Sequence, residues 1–265
     1  MARAIYGGLL DSGFSATNLS VVDPSAAAQD NARQAGIEHV FDSAPGEALL
    51  ADLIVLAIKP QITKAALQPL SGRLATHSLV LSIVAGIDAE SLAALLGLSD
   101  TGRIIRCMPN TPALVGEGMT GLYASRDAGS AEGKALAERV MSSVGQYVWV
   151  ENESDLDVIT AISGSGPAYF FLFIESLTDA AIALGMNGES ARKLALQTAL
   201  GASRLASLSS EDAATLRKNV TSPGGTTEQA IKAFEASDIR GIVVQATKAA
   251  AVSYTHLTLP TMRTV

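Results

Sequence analysis

The segment Ser222-Pro-Gly-Gly-Thr-Thr227 places a turn-fixing proline, two adjacent glycines and three hydroxyls directly ahead of a helical pattern. Ala230, Ile231 and Phe234 share one face of that pattern. A glycine-rich loop feeding a helix N-terminus offers unpaired backbone N–H groups and the positive end of the helix dipole, and both favour an anion. The segment holds neither His nor Cys, which argues against nucleophilic catalysis there. The chemistry it suits is the grip of a small carboxylate by backbone N–H groups, with Thr227 presenting a hydroxyl to the reacting group. The same residues also fit a plain helix cap, with Thr226 or Thr227 as the N-cap.

Further polar and turn-forming residues cluster where apolar runs end. Ala57-Ile-Lys-Pro60, Ile83-Val-Ala-Gly86 and Met108-Pro-Asn-Thr-Pro112 each follow such a run. Asp23 closes another, where a carboxylate can accept hydrogen bonds from a ribose diol. Strand-ending turns are often rich in Pro, Asn and Gly for purely structural reasons, so it is the joint placement that carries weight. In open α/β sheets, ligands bind beyond the C-terminal ends of the strands.

The elements that must position these residues alternate. Ala2 to Phe14 is expected to be a helix stopped by Gly13, followed by a strand at 19–23 and a helix at 25–35. Val40-Phe41 is a short strand. The continuous apolar runs at 52–58, 79–84 and 103–108 predict strands buried on both faces, and hence a parallel sheet. Helices at 64–74 and 89–96 lie between them. Strand–helix alternation of this kind means a doubly wound α/β domain. Segments 119–124 and 147–150 are expected as edge strands. From about Glu151 the pattern turns helical, with helices at 156–162, 168–184, 189–207, 212–219, 227–235 and 238–252. The run Ser163-Gly-Ser-Gly-Pro167 interrupts the first of these. Phe170, Phe171 and Phe173 put bulk on several sides of one helix, which predicts burial all round, in a large core or against a second subunit. The expected division is 1–150, 151–252 and a separate tail, 253–265.

Composition narrows the classes. The net charge of −7 and the pI near 5.0 disfavour nucleic acid or an anionic membrane as partners. No apolar stretch is read as spanning a bilayer. The single cysteine, Cys107, excludes an internal disulfide, fits a reducing cytoplasm, and lies in an apolar run that reads as core. His39, His77 and His256 lack ligand spacing, so no metal site is expected.

Taken together, Ala57–Pro60, Met108–Pro112, Ser163-Gly-Ser-Gly-Pro-Ala-Tyr169 and Ser222–Thr227 resemble the motifs of pyrroline-5-carboxylate reductases, from Met1 to about Val252. The resemblance implies a Rossmann-like N-terminal domain and an all-α C-terminal domain through which two chains form a homodimer, open to higher assembly. It also implies reduction of the ring C=N of 1-pyrroline-5-carboxylate by NADPH or NADH. By that match Gly225 and Thr226 hold the substrate carboxylate with help from Ser222, and Thr227 hydrogen-bonds the ring nitrogen. Asp23, Ala57, Ile58, Lys59, Pro60, Ile83, Val84, Ala85 and Asn219 line the cofactor, and Glu153 matches an acidic position near the ligands.

The chain departs from the family pattern at both ends. Relatives open with a strand and a Gly-x-Gly-Asn-Met-Ala turn, of which Met1-Ala2 match only the last two residues. Asp23 sits about twenty residues further on, as the fingerprint expects. A missing first strand, from truncation or a late start, would leave its neighbours without ladder partners. Residues 253–265, β-branched and carrying Pro260, read as a non-native tail that continues a helix poorly. Ala44 stands near a position where relatives carry an adenosine-contacting asparagine. Two other readings stand beside the reductase. One is a related hydroxyacid dehydrogenase using Lys193 or Lys218. The other is a cofactor-impaired, non-catalytic fragment that dimerises through its helical half.

Overall fold

The structure is a computed structural model that describes residues 1–125 and 130–258. Its elements in order are α1 (Ala2–Asp11), β1 (Ser20–Val22), α2 (Ala26–Gln34), β2 (His39–Phe41), β3 (Leu53–Leu56) and α3 (Thr63–Leu67). Then come β4 (Leu79–Ser82), α4 (Ala89–Leu96), β5 (Ile104–Met108), β6 (Gly118–Ala124), α5 (Ala131–Ser142) and β7 (Gly145–Trp149). The helices α6 (Asp155–Ile159), α7 (Gly166–Ala183), α8 (Gly188–Leu208), α9 (Ala213–Asn219), α10 (Thr226–Ala236) and α11 (Ile239–Thr258) complete it. The chain divides into two compact units, Met1–Ser165 with Ala250–Val265, and Gly166–Ala249.

In the first unit, β3, β4 and β5 run parallel, and their alternating side chains feed two cores. Leu79, Leu81, Ile105 and Cys107 pack with Ile5 and Leu9 of α1 and with Val140 and Met141 of α5. Val80 and Ile104 face the other way, toward Leu92 and Leu96 of α4. Continuous apolar runs therefore mark strands covered on both faces, as read from the sequence. Helix α4 shows why local signals suffice for some elements. Asp88 caps it by accepting the Ser91 N–H at 2.7 Å, and Gly97 ends it with φ +66°.

Several expectations need correction. The strands form two sheets, β1–β2 and β3-β4-β5-β6-β7, so β1 and β3 each keep one edge without a ladder partner among the described residues. Strand β6 is interior, lying between β5 and β7, and it runs antiparallel to β5. The link from Met108 to Gly118 holds only a 3-10 turn, Thr111–Val115, too short for the crossover that a parallel partner needs. Helix α5, which the sequence reading passed over, supplies the crossover that makes β6 and β7 parallel. The helix expected at 64–74 stops at Leu67 and tightens to a 3-10 turn over Gln68–Leu70, where Pro69 removes a donor.

Ser163–Pro167 does not break the helix. A π-turn over Thr160–Gly164 carries it on, giving a run from Asp155 to Ala183 that is long and apolar enough to cross a membrane by length and composition. That overturns the expectation that no such stretch exists. Helix α11 continues to Thr258, beyond the expected end at 252. Pro260, with the rest of 259–265, lies outside the described residues.

In the second unit, Asn187 and Asp212 cap α8 and α9 by accepting the N–H groups of Ser190 and Thr215. On α7, Phe170 and Phe171 are each 64% exposed in the single chain, so the bulk expected to be buried finds no cover within it.

Candidate active site

Helix α10 begins at Thr226, with Gly225 as its N-cap and no side-chain capping bond. Thr226 and Thr227 are thus the first helical residues and not caps, which corrects the plain-cap reading. Their N–H groups lie among the four that an α-helix leaves without intrahelical partners. Gly224 holds φ +74°, a left-handed conformation that glycine adopts at no steric cost.

Two loop donors are engaged within the loop itself. The Gly225 N–H donates to the Ser222 carbonyl at 3.0 Å, and the Gly224 N–H donates to Glu228 Oε2 at 3.0 Å. A ligand carboxylate therefore finds the N–H groups of Thr226 and Thr227 more readily than that of Gly225. Glu228 was missed in the sequence, although an acid three residues past the N-cap is the spacing of a capping box. Its hydrogen bond from Gly224 and, next, Lys232 at 3.2 Å hold its carboxyl below the usual carboxylate range. Asn219, at the end of α9, donates to Glu211 Oε2 at 3.0 Å. Lys218 lines a groove of about 420 Å³ with Arg217, Thr221 and Glu235.

In the first unit the cofactor candidates sit at strand ends, as expected. Ala57 and Ile58 follow β3, and the Lys59 carbonyl accepts the Thr63 hydroxyl at 3.0 Å, opening the turn at Pro60. Ile83, Val84 and Ala85 follow β4, with the Val84 N–H on Ser82 Oγ at 3.3 Å and Gly86 at φ +74°. Asp23 follows β1, and its Oδ1 accepts the Ser25 N–H at 2.8 Å. The turns after β3 and β4, with the start of α4, lie at the C-terminal rim of the parallel strands of the larger sheet, while Asp23 follows β1 of the separate two-stranded sheet. In open α/β sheets ligands bind at such strand ends.

Glu153 does not lie on a turn of that rim. Its Oε1 accepts the Ala89 N–H at 2.8 Å and pairs with Arg106 Nη1 at 2.9 Å. The sequence reading missed Arg106, although a lone cation within a continuous apolar strand asks for a buried partner. Cys107 is buried, with its thiol pushed well up by that burial, in keeping with a core role. Among the described residues no group of acids, His and Cys is arranged to hold a metal.

The chain joins a Rossmann-like domain to a helical dimerisation domain, and its likenesses to known proteins make it a nicotinamide-dependent oxidoreductase. Residues 153–257 match the pyrroline-5-carboxylate reductase dimerisation family, and residues 1–86 match the coenzyme F420-dependent NADP oxidoreductase family. The chain is 44% identical to the pyrroline-5-carboxylate reductase of Pseudomonas aeruginosa, over 94% of this chain and 90% of that one. It superposes on a pyrroline-5-carboxylate reductase from Coxiella burnetii with a TM-score of 0.90 at 39% identity, covering 97% and 94% of the two chains. The enzyme of Plasmodium falciparum, solved with NADP bound, gives 0.81 at 30% identity, covering 96% and 93%. This chain belongs to the pyrroline-5-carboxylate reductase family.

Proposed function

We propose that the chain reduces 1-pyrroline-5-carboxylate to L-proline, the last step of proline biosynthesis. The observation that carries this reading is the start of α10, where Thr226 and Thr227 offer first-turn N–H groups beside a Thr227 hydroxyl. Thr226, with Gly225 and Ser222 shaping the loop, holds the substrate carboxylate. The Thr227 hydroxyl hydrogen-bonds the ring nitrogen and steers its protonation. When bound, the nicotinamide would supply the hydride to the imine carbon; the C=N electron pair would pass to the ring nitrogen, which takes its proton from solvent beside the Thr227 hydroxyl. Little acid–base power is needed. Orientation does most of the work, up to about 7–11 kcal/mol in well-aligned cases.

Ala57–Pro60, Ile83–Ala85 and Asp23 line the cofactor in this reading. The Asp23 carboxylate, whose Oδ1 accepts the Ser25 N–H, is placed to accept from a ribose diol, and either NADPH or NADH serves as the hydride source. Two chains pair through the exposed aromatic face of α7, in the cytoplasm. The test is oxidation of NADH and of NADPH by the full chain with 1-pyrroline-5-carboxylate. Turnover supports the reading, and cofactor binding without turnover overturns it. If neither cofactor binds, the chain is the non-catalytic form.

A further inference from the structure

Among the described residues Arg106 is the only charged one that is buried, at 8% exposure. It shares the strand parity of Ile104 and so faces the α4 side of the sheet. Its Nη1 donates to Glu153 Oε1, and that same oxygen accepts the N–H of Ala89, the first residue of α4. Its Nε is buried without a partner. Asp157 also faces the pair, and burial first, then Glu153, push its carboxyl up while Arg106 opposes them.

This is a poor device for stability. Desolvating such a pair cancels much or all of its attraction, and apolar side chains of like volume would serve the core as well. What the pair does geometrically is pin the far end of the β4–α4 turn, residues 83–88. The near end is pinned by Ser82 Oγ on the Val84 N–H. We propose that Glu153 and Arg106 are positioning residues for the cofactor. Glu153 holds the turn through Ala89, and Arg106 holds Glu153. The inference rests on the reading, given above, that Ile83–Ala85 line the cofactor.

The test uses the full chain and its variants R106M, R106K, E153A, E153Q and R106M/E153A, with A85F as a direct change to the rim. Kd for NADH and NADPH, KM for 1-pyrroline-5-carboxylate, kcat and Tm are measured on each. E153A and R106M are expected to weaken cofactor binding on the order of tenfold, the scale of one charge-assisted bond. Substrate KM and saturating kcat should change far less. R106K should recover most of the loss, and E153Q, which keeps an acceptor for Ala89, should fall between. The double variant should bind no more weakly than E153A, because Arg106 acts through Glu153. Unchanged Kd in E153A and E153Q, additive losses in the double variant, or Kd that tracks Tm alone would overturn the proposal. If A85F also leaves Kd unchanged, the cofactor reading of the turn fails and takes this inference with it.

Discussion

Asn110 donates from Nδ2 to the Ser163 carbonyl at 3.0 Å, across 53 positions of sequence. Its Oδ1 accepts the Met119 N–H at 2.9 Å. One buried amide thus joins the Met108–Pro112 turn, the start of β6 and the π-turn ahead of α7. The Met108–Pro112 turn, expected at a ligand-binding strand end, and the Ser163 motif, expected to interrupt a helix, meet at this residue in one structural clamp. Removing it in Asn110→Ala strands buried backbone groups and should cost about 2–4 kcal/mol. Asn110→Asp keeps the acceptor for Met119 and loses the donor, so about half that cost is expected. Denaturant midpoints of the two variants check the order.

Thr227→Ala should lower kcat by roughly 10- to 1,000-fold, the usual size of one positioned polar group. Cofactor Kd should stay as it is, and Thr227→Ser should restore most of the rate. Steady-state kinetics with NADH decide it, and an unchanged kcat in Thr227→Ala removes the assignment.

Two glycine substitutions should move stability in opposite directions. Gly145 opens β7 with φ +148°, and a Cβ there would meet the Gly118 carbonyl carbon at 2.6 Å, backbone that cannot swing aside. Gly145→Ala should cost about 3 kcal/mol or more. Gly7, within α1, has nothing within 4 Å of a built Cβ, so Gly7→Ala should gain about 0.5–1 kcal/mol from helix propensity. Paired thermal melts test both.

The Glu228 carboxyl is held low by Gly224 and Lys232. A depressed folded pKa means that the stabilisation is present above the unfolded carboxylate value and is lost as pH falls through the folded one. The Tm gap between the protein and Glu228→Gln should therefore be fullest at neutral pH and close on acidification. A gap independent of pH would show that the charge plays no part.

Phe171→Glu places a charge on the exposed aromatic face of α7. Light scattering at micromolar concentration should find monomer where the unaltered chain is dimeric. A variant that remains dimeric would move the interface to another face.

Much of the molecule was legible in its residues because the signals were local. Apolar runs marked strands covered on both faces, and Asp88 and Gly97 bounded α4 at the residues expected, 89–96. The Gly-rich loop announced the start of α10 to within one residue. Even the Glu228 cap was there to be read at capping-box spacing. Tertiary structure alone decided what depends on distant partners. The direction and interior place of β6 follow from a link too short for a crossover, and the separation of β1–β2 from the larger sheet follows from which edges find a ladder. Arg106 meets Glu153 across 47 positions, and neither residue type names the other. Caps and periodicity are settled by neighbours a turn away. A buried charge is settled only when folding has chosen which face it occupies and what stands opposite.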